Sequence, residues 1–164
     1  MGLPNVWVRV IVGLCFIPIV LLAAWVGGTY LLIFVELIIL IGLWEFYRAC
    51  SMKDVRPNQF LGYIGAGGIG LIASAGEEGY AAAIIAGSAV VVASVEVFRK
   101  NESSPTHNIA TTMLGVIYVG WLSSHLLLIR NLSGYSPAFS DSNSFMAVVL
   151  ALGIPWVCDT GAYF

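Results

Sequence analysis

The chain has 164 residues, of which 59% are hydrophobic and 10% charged, against roughly 45–50% and about 25% in soluble domains. A soluble globular fold is excluded, and residues 1–164 read as a single membrane domain. The formal net charge of -2 gives no excess of positive charge, so nucleic acid is not an expected partner.

Six apolar segments are predicted, at residues 10–26, 30–44, 60–75, 80–97, 109–129 and 145–164. In lipid every backbone N–H and C=O must find a partner within the chain. The unbroken apolarity of these segments therefore marks helices, not the two-residue alternation of a membrane barrel. The expected fold is an all-α, polytopic membrane helix bundle of about six transmembrane helices. A span needs on the order of 20 residues at about 1.5 Å each, so the second and third segments must recruit flanking residues. Only Arg9 flanks the first segment as a basic residue, and no small-x-small cleavage pattern follows it; it is expected to be a retained span, not a signal peptide.

Sidedness follows from the basic residues. Arg9, Arg48, Lys53, Arg56, Arg99 and Lys100 fall in the amino-terminal arm and the second and fourth connections, while Arg130 alone borders the other side. This bias places the amino terminus in the cytoplasm and, after six crossings, the end of the sixth segment as well. The expected setting is a bacterial inner membrane.

Several smaller signals have plain structural readings. Trp7, Trp25, Trp44 and Tyr47 suit the headgroup zone as helix anchors. Glu45 with Arg48, and Glu96 with Arg99, are three apart and predict interfacial ion pairs. Gly62, Ala66, Gly70 and Ser74 form a stripe of small residues that lets helices approach closely. The G-x-G-x-x-G match at Gly65, Gly67 and Gly70 lacks the strand-to-helix setting of a dinucleotide site. Cys15, Cys50 and Cys158 make neither a C-x-x-C pair nor a metal spacing. Two Asn-x-Ser triplets, beginning at Asn101 and Asn131, receive no role.

Three ionisable residues fall within apolar segments: Glu36 in the second, His125 in the fifth and Asp159 in the sixth. A carboxylate at membrane depth is costly and by default marks a site. Asp159 is therefore the leading functional candidate, with Glu36 and His125 as possible members of one buried polar network. On residues alone, two rival functions stand beside an enzyme. One is a small multi-pass, ion-coupled transporter using these three groups, although the two halves show no internal repeat. The other is a non-catalytic membrane scaffold associating through the Gly62 to Ser74 stripe, which leaves the carboxylate without a purpose.

The run Pro155, Trp156, Val157, Cys158, Asp159, Thr160, Gly161, Ala162, Tyr163, Phe164 resembles the central motif of the phosphatidate cytidylyltransferases, the CDP-diacylglycerol synthases. Two further places are similar: Leu43, Trp44, Glu45, Phe46, Tyr47, and the stretch from Gly120 and Trp121 through His125 to Arg130. The resemblance implies that CTP and phosphatidic acid are the substrates, within membrane lipid, giving CDP-diacylglycerol and pyrophosphate with Mg2+ as cofactor. It implies Asp159 and Thr160 as catalytic residues, Asp159 as a metal ligand, and Gly161 and Tyr163 at the substrates. A homodimer through the membrane helices is a further expected association. The family's carboxy-terminal signature, with its Lys-Asp, His-Gly-Gly and Asp-Arg elements, has no counterpart in these residues. The expectation is an amino-terminal portion of a longer enzyme, inactive by itself.

Overall fold

A computed structural model of the protein describes residues 16–51, 55–99 and 104–163. They form α1 (Phe16–Val26), α2 (Gly28–Ser51), α3 (Gln59–Ala75), α4 (Ala81–Phe98), α5 (Pro105–Arg130), the single turn α6 (Leu132–Tyr135) and α7 (Asp141–Tyr163), with no strand among the described residues. The all-helical expectation is met. The count of spans is more restrained. Among the described residues four helices, α2, α4, α5 and α7, are long and apolar enough to cross a membrane; α3 is apolar with 17 residues, and α1 is apolar over its described part, Phe16–Val26. As expected, the second segment recruits its flanks and becomes a 24-residue helix; the third reaches 17 residues.

Connections between these helices are tight, and their chemistry is local. α3 begins at Asn58, whose side chain accepts the Leu61 N–H at 3.2 Å, and it ends on Gly76 at φ 82°. There the Gly76 N–H donates to Ala73 O and the Glu77 N–H to Ile72 O, each at 3.2 Å. This paired closure needs a left-handed residue, which glycine adopts without a Cβ penalty. Successive helices alternate in direction. The turns 26–28, 75–81 and 130–141 gather at one end of the bundle, and the connections 51–59 and 98–105 at the other, with the carboxy-terminal end of α7 directed toward the latter.

Packing centres on one stripe of α2. Leu31, Val35, Ile39, Leu43 and Tyr47 recur every four residues, lie on one face, and are all buried. They meet Ala66 and Ala73 of α3 and Leu127 of α5. Gly62, Ala66 and Gly70 of the small-residue stripe of α3 are consumed inside this bundle, while Ser74 is only partly covered. Gly62 accommodates the Tyr47 ring, Ala66 receives Gly120 of α5, and Gly70 receives the Glu36 carboxyl.

Tyr47 is therefore not the headgroup anchor its position near a helix end implied. Its ring is fully buried between Gly62 and Gly115, and its hydroxyl donates to Thr112 O at 3.0 Å. α5 widens into a seven-residue π-helical stretch, Gly115–Trp121, just beyond that carbonyl. Insertion of a side chain into the i to i−4 ladder is a recognised cause of such a distortion. Tyr47→Phe keeps the ring and removes one buried hydrogen bond, so a loss of about 1 kcal/mol is expected. Equilibrium unfolding in detergent measures it.

Candidate functional site

The end of the bundle carrying Arg48, Arg56 and Arg99 also carries a cluster of buried polar residues, Glu96, Asn108 and Thr112. Non-helical backbone close to the membrane must still pair its N–H and C=O groups, and side chains from two helices do this for residues 56–58. Asn108 Oδ1 accepts the Arg56 N–H at 2.7 Å, and Thr112 Oγ1 accepts the Asn58 N–H at 2.9 Å. Thr112 in turn donates to Asn108 O at 2.8 Å. The Asn108 amide then donates to the Glu96 carboxylate at 2.6 Å. Glu96 also takes Arg99 Nη1 at 3.1 Å, and the same nitrogen reaches Arg56 O at 2.9 Å. Glu96, Asn108 and Thr112 are buried, while the Arg56 side chain stays exposed.

The Glu96–Arg99 pair predicted from spacing is thus present, yet its carboxylate lies in the interior and is shared with Asn108. Glu45 and Arg48 do not pair. Arg48 instead lies over the Trp44 ring, 5.3 Å from its centroid, an arrangement that an exposed cation beside an aromatic face favours. Trp25 and Trp44 are exposed, as expected of anchors.

Asp159 lies in the last turns of α7, four residues before its end at Tyr163. It is exposed, as are Cys158 and Gly161. α7 packs chiefly on the Leu122–Arg130 portion of α5. Farther along, Trp156 lies 6.2 Å from the Phe16 ring, centroid to centroid. A Cβ added at Gly161 would meet nothing within 4 Å, so packing among the described residues does not demand a glycine there. The side chains of Thr160 and Tyr163, and all of Phe164, lie outside the described residues, as do Trp7, Arg9, Cys15, Lys53 and Lys100.

The three ionisable candidates do not assemble into one network. Glu36 is half-buried against Gly67 and Gly70 of α3, and its Oε1 is buried without a hydrogen-bond partner. His125 turns back on its own helix, with Nδ1 2.8 Å from Trp121 O and its ring edge-on to Trp121. The reason is helix rotation: each residue sits in an apolar segment, but each faces a different neighbour. Among the described residues no group of three or more His, Cys, Asp or Glu is placed to hold a metal ion. Asp159 therefore offers one carboxylate, not a complete cage. Magnesium commonly takes one or two carboxylates and completes its shell with water and substrate phosphates, and a single exposed carboxylate fits that pattern.

Sequence reasoning passed over Asn108 and Thr112, whose spacing of four on the first turns of α5 was the available signal. It also took Arg130 for a topology marker. Arg130 is buried and holds Ala24 O, Trp25 O and Asp141.

Alternating apolar helices, four of them long enough to cross a membrane, with a buried polar cluster at the basic end, define a polytopic helical membrane protein. The family model described as "Cytidylyltransferase family" matches residues 7–164. The chain belongs to that family and is a CTP-dependent transferase of the nucleotidyltransferase class. No curated protein and no solved structure gave a match.

Proposed function

We propose that the protein serves the transfer of a cytidylyl group from CTP to phosphatidic acid, giving CDP-diacylglycerol and pyrophosphate for phospholipid synthesis. The observation that carries this reading is the Asp159, Thr160, Gly161, Ala162, Tyr163, Phe164 run. Asp159 stands exposed in the last turns of α7, which runs from its Arg130–Asp141 contact toward the end that carries the arginines and the buried Glu96–Asn108 cluster. A phosphate oxygen of the lipid attacks the α-phosphorus of CTP, the bond from that phosphorus to the bridging oxygen breaks, and pyrophosphate leaves. Both reactants are anionic, so positioning and charge stabilisation dominate.

Arg48 and Arg56 are exposed at this end and suit the phosphates of headgroup and nucleotide. The Glu96–Asn108 cluster fixes the backbone of residues 56–58 on which Arg56 stands. Asp159 would give Mg2+ one carboxylate ligand, with Thr160 adding a hydroxyl. The ion supplies neutralisation of triphosphate charge when bound. Gly161 leaves open space for a phosphate, and Tyr163 would contact the lipid substrate. On this reading the basic end and the amino terminus face the cytoplasm of a bacterium, as positive-inside bias supports. Association into a homodimer would use lipid-facing sides of the helices, since the small-residue stripe of α3 is occupied within the chain.

The test supplies membranes containing the protein, made from its whole gene, with CTP labelled at the α-phosphate and a choice of lipid acceptors. Label is expected in CDP-diacylglycerol, with one pyrophosphate per product, only when phosphatidic acid is present. Label entering another phosphorylated lipid in its place would overturn the proposed acceptor and leave the family membership standing.

A further inference from the structure

An open cavity of about 610 Å³ lies at the end of the bundle opposite Asp159, where α1, α3 and α5 end and α7 begins. Trp25, Ser74, Arg130, Asn131, Ser133 and Asp141 are among the residues that line it. Its two charges differ in how they are held. The Arg130 side chain is only 9% exposed; Nε donates to Ala24 O at 2.8 Å and Nη2 to Trp25 O at 3.2 Å. Gly27 makes room for this arm. A Cβ there would lie 3.2 Å from Arg130 Nε, and the residue has φ 67°. The guanidinium is thus fixed by the backbone of another helix. Asp141, in contrast, has a side chain that is 75% exposed and hydrogen-bonds to Arg130 at 2.6 and 3.2 Å.

A fixed cation faced by an exposed carboxylate gives a cavity with no net charge and a strong internal dipole. A simple anion entering it gains Arg130 but meets Asp141. A ligand carrying a phosphate and an ammonium a few bonds apart satisfies both, by turning Asp141 outward from the guanidinium to the amine. Charge-assisted bonds of both signs are then kept. Ser133 and Asn131 supply further polar groups on the wall. Trp25, 68% exposed at the rim, marks headgroup depth, where amphipathic rings concentrate.

The geometry points to a binding site for a zwitterionic phosphoamine headgroup, its phosphate on Arg130 and its ammonium on Asp141, supplied by a phospholipid of the leaflet on this side. The site is separate from the transferase chemistry and does not depend on it.

Native mass spectrometry of the purified protein, titrated with phosphatidylethanolamine or phosphatidylglycerol of equal acyl length, tests this. Phosphatidylethanolamine should bind more tightly by about three- to fivefold, the scale of one partly exposed charge interaction. Asp141→Asn removes the ammonium partner and the repulsion together, so the preference should vanish. Glu77→Gln, which neutralises an exposed acid at the same end but outside the cavity lining, should leave it intact. Both variants alter exposed side chains, and matched elution in size-exclusion chromatography verifies the fold. Equal binding of the two lipids by the unaltered protein, or a preference that survives Asp141→Asn, would overturn the inference. Competition with glycerophosphoethanolamine, which carries the same two groups, identifies their source: displacement only at large excess assigns the site to the lipid, and displacement at equimolar concentration would assign it to a soluble phosphoamine and overturn the lipid source.

Discussion

Asp159→Asn is expected to lower CTP-dependent transfer by about 100-fold or more while leaving helix content and elution unchanged. The side chain is exposed in the last turns of α7, so an isosteric neutral replacement disturbs little packing. What it removes is one negative charge at the place where the reading puts a metal ion and triphosphate. Loss of a single preorganised electrostatic partner commonly lowers kcat by roughly 10² to 10³. The magnesium dependence separates this role from a structural one. A lost ligand should move the half-saturating Mg2+ concentration upward, and Asp159→Glu, which keeps the carboxylate, should recover part of the rate. Cys158→Ser, at the exposed neighbouring position, should keep normal turnover. If Asp159→Asn turned over at near-normal rate, with unchanged magnesium dependence, the metal role would be discarded.

Hydropathy located the helices well because apolar length is a property of a continuous segment, readable without knowing the neighbours. The number of spans is less directly readable, since α3 is apolar but, at 17 residues, sits at the lower limit of a crossing helix. Rotation about each helix axis was harder still. Trp44 and Tyr47 are both aromatic residues near the same helix end, yet one is exposed and the other fully buried. The deciding signal was present as the four-residue recurrence from Leu31 to Tyr47, which places Tyr47 on the core stripe and Trp44 off it.

The site was legible only in part, for a related reason. Asp159 stood out because a charge in an apolar run is a local anomaly. The Glu96, Asn108 and Thr112 cluster did not, because its partners are the backbone groups of Arg56 and Asn58, 52 and 54 residues from Asn108 and Thr112 respectively. Arg130 looked like a topology marker because the carbonyl it satisfies, that of Ala24, is 106 residues away. Contacts of that range depend on which helices become neighbours, and nothing in the local sequence of Arg130 encodes Ala24.

Gly120→Leu should be the most disruptive single substitution in the bundle. A Cβ at this position would lie 2.5 Å from Ala66 Cβ and 2.8 Å from Ala66 Cα. Backbone, unlike the tip of a flexible side chain, has no rotamer by which to withdraw, so α3 and α5 must separate. That movement also opens the seat of the Tyr47 ring, since Gly62 and Gly115, which enclose it, lie on the same two helices. Overpacking a close-packed interior typically costs about 1–3 kcal/mol, and the linked loss of the Tyr47 hydrogen bond adds about 1 kcal/mol more. Unfolding in mixed detergent should show a loss of about 2–4 kcal/mol, or no folded protein. Gly134→Ala, where an added Cβ meets nothing within 4 Å, should stay within about 0.5 kcal/mol of the unaltered protein. The milder Gly120→Ala keeps the comparison measurable if the leucine variant does not fold. Ala66→Gly combined with it should recover part of the loss, because the swap relieves the clash between the two methyl groups but leaves the Ala66 backbone in place. Independent, additive effects of the two exchanges would mean that α3 and α5 do not meet at this crossing.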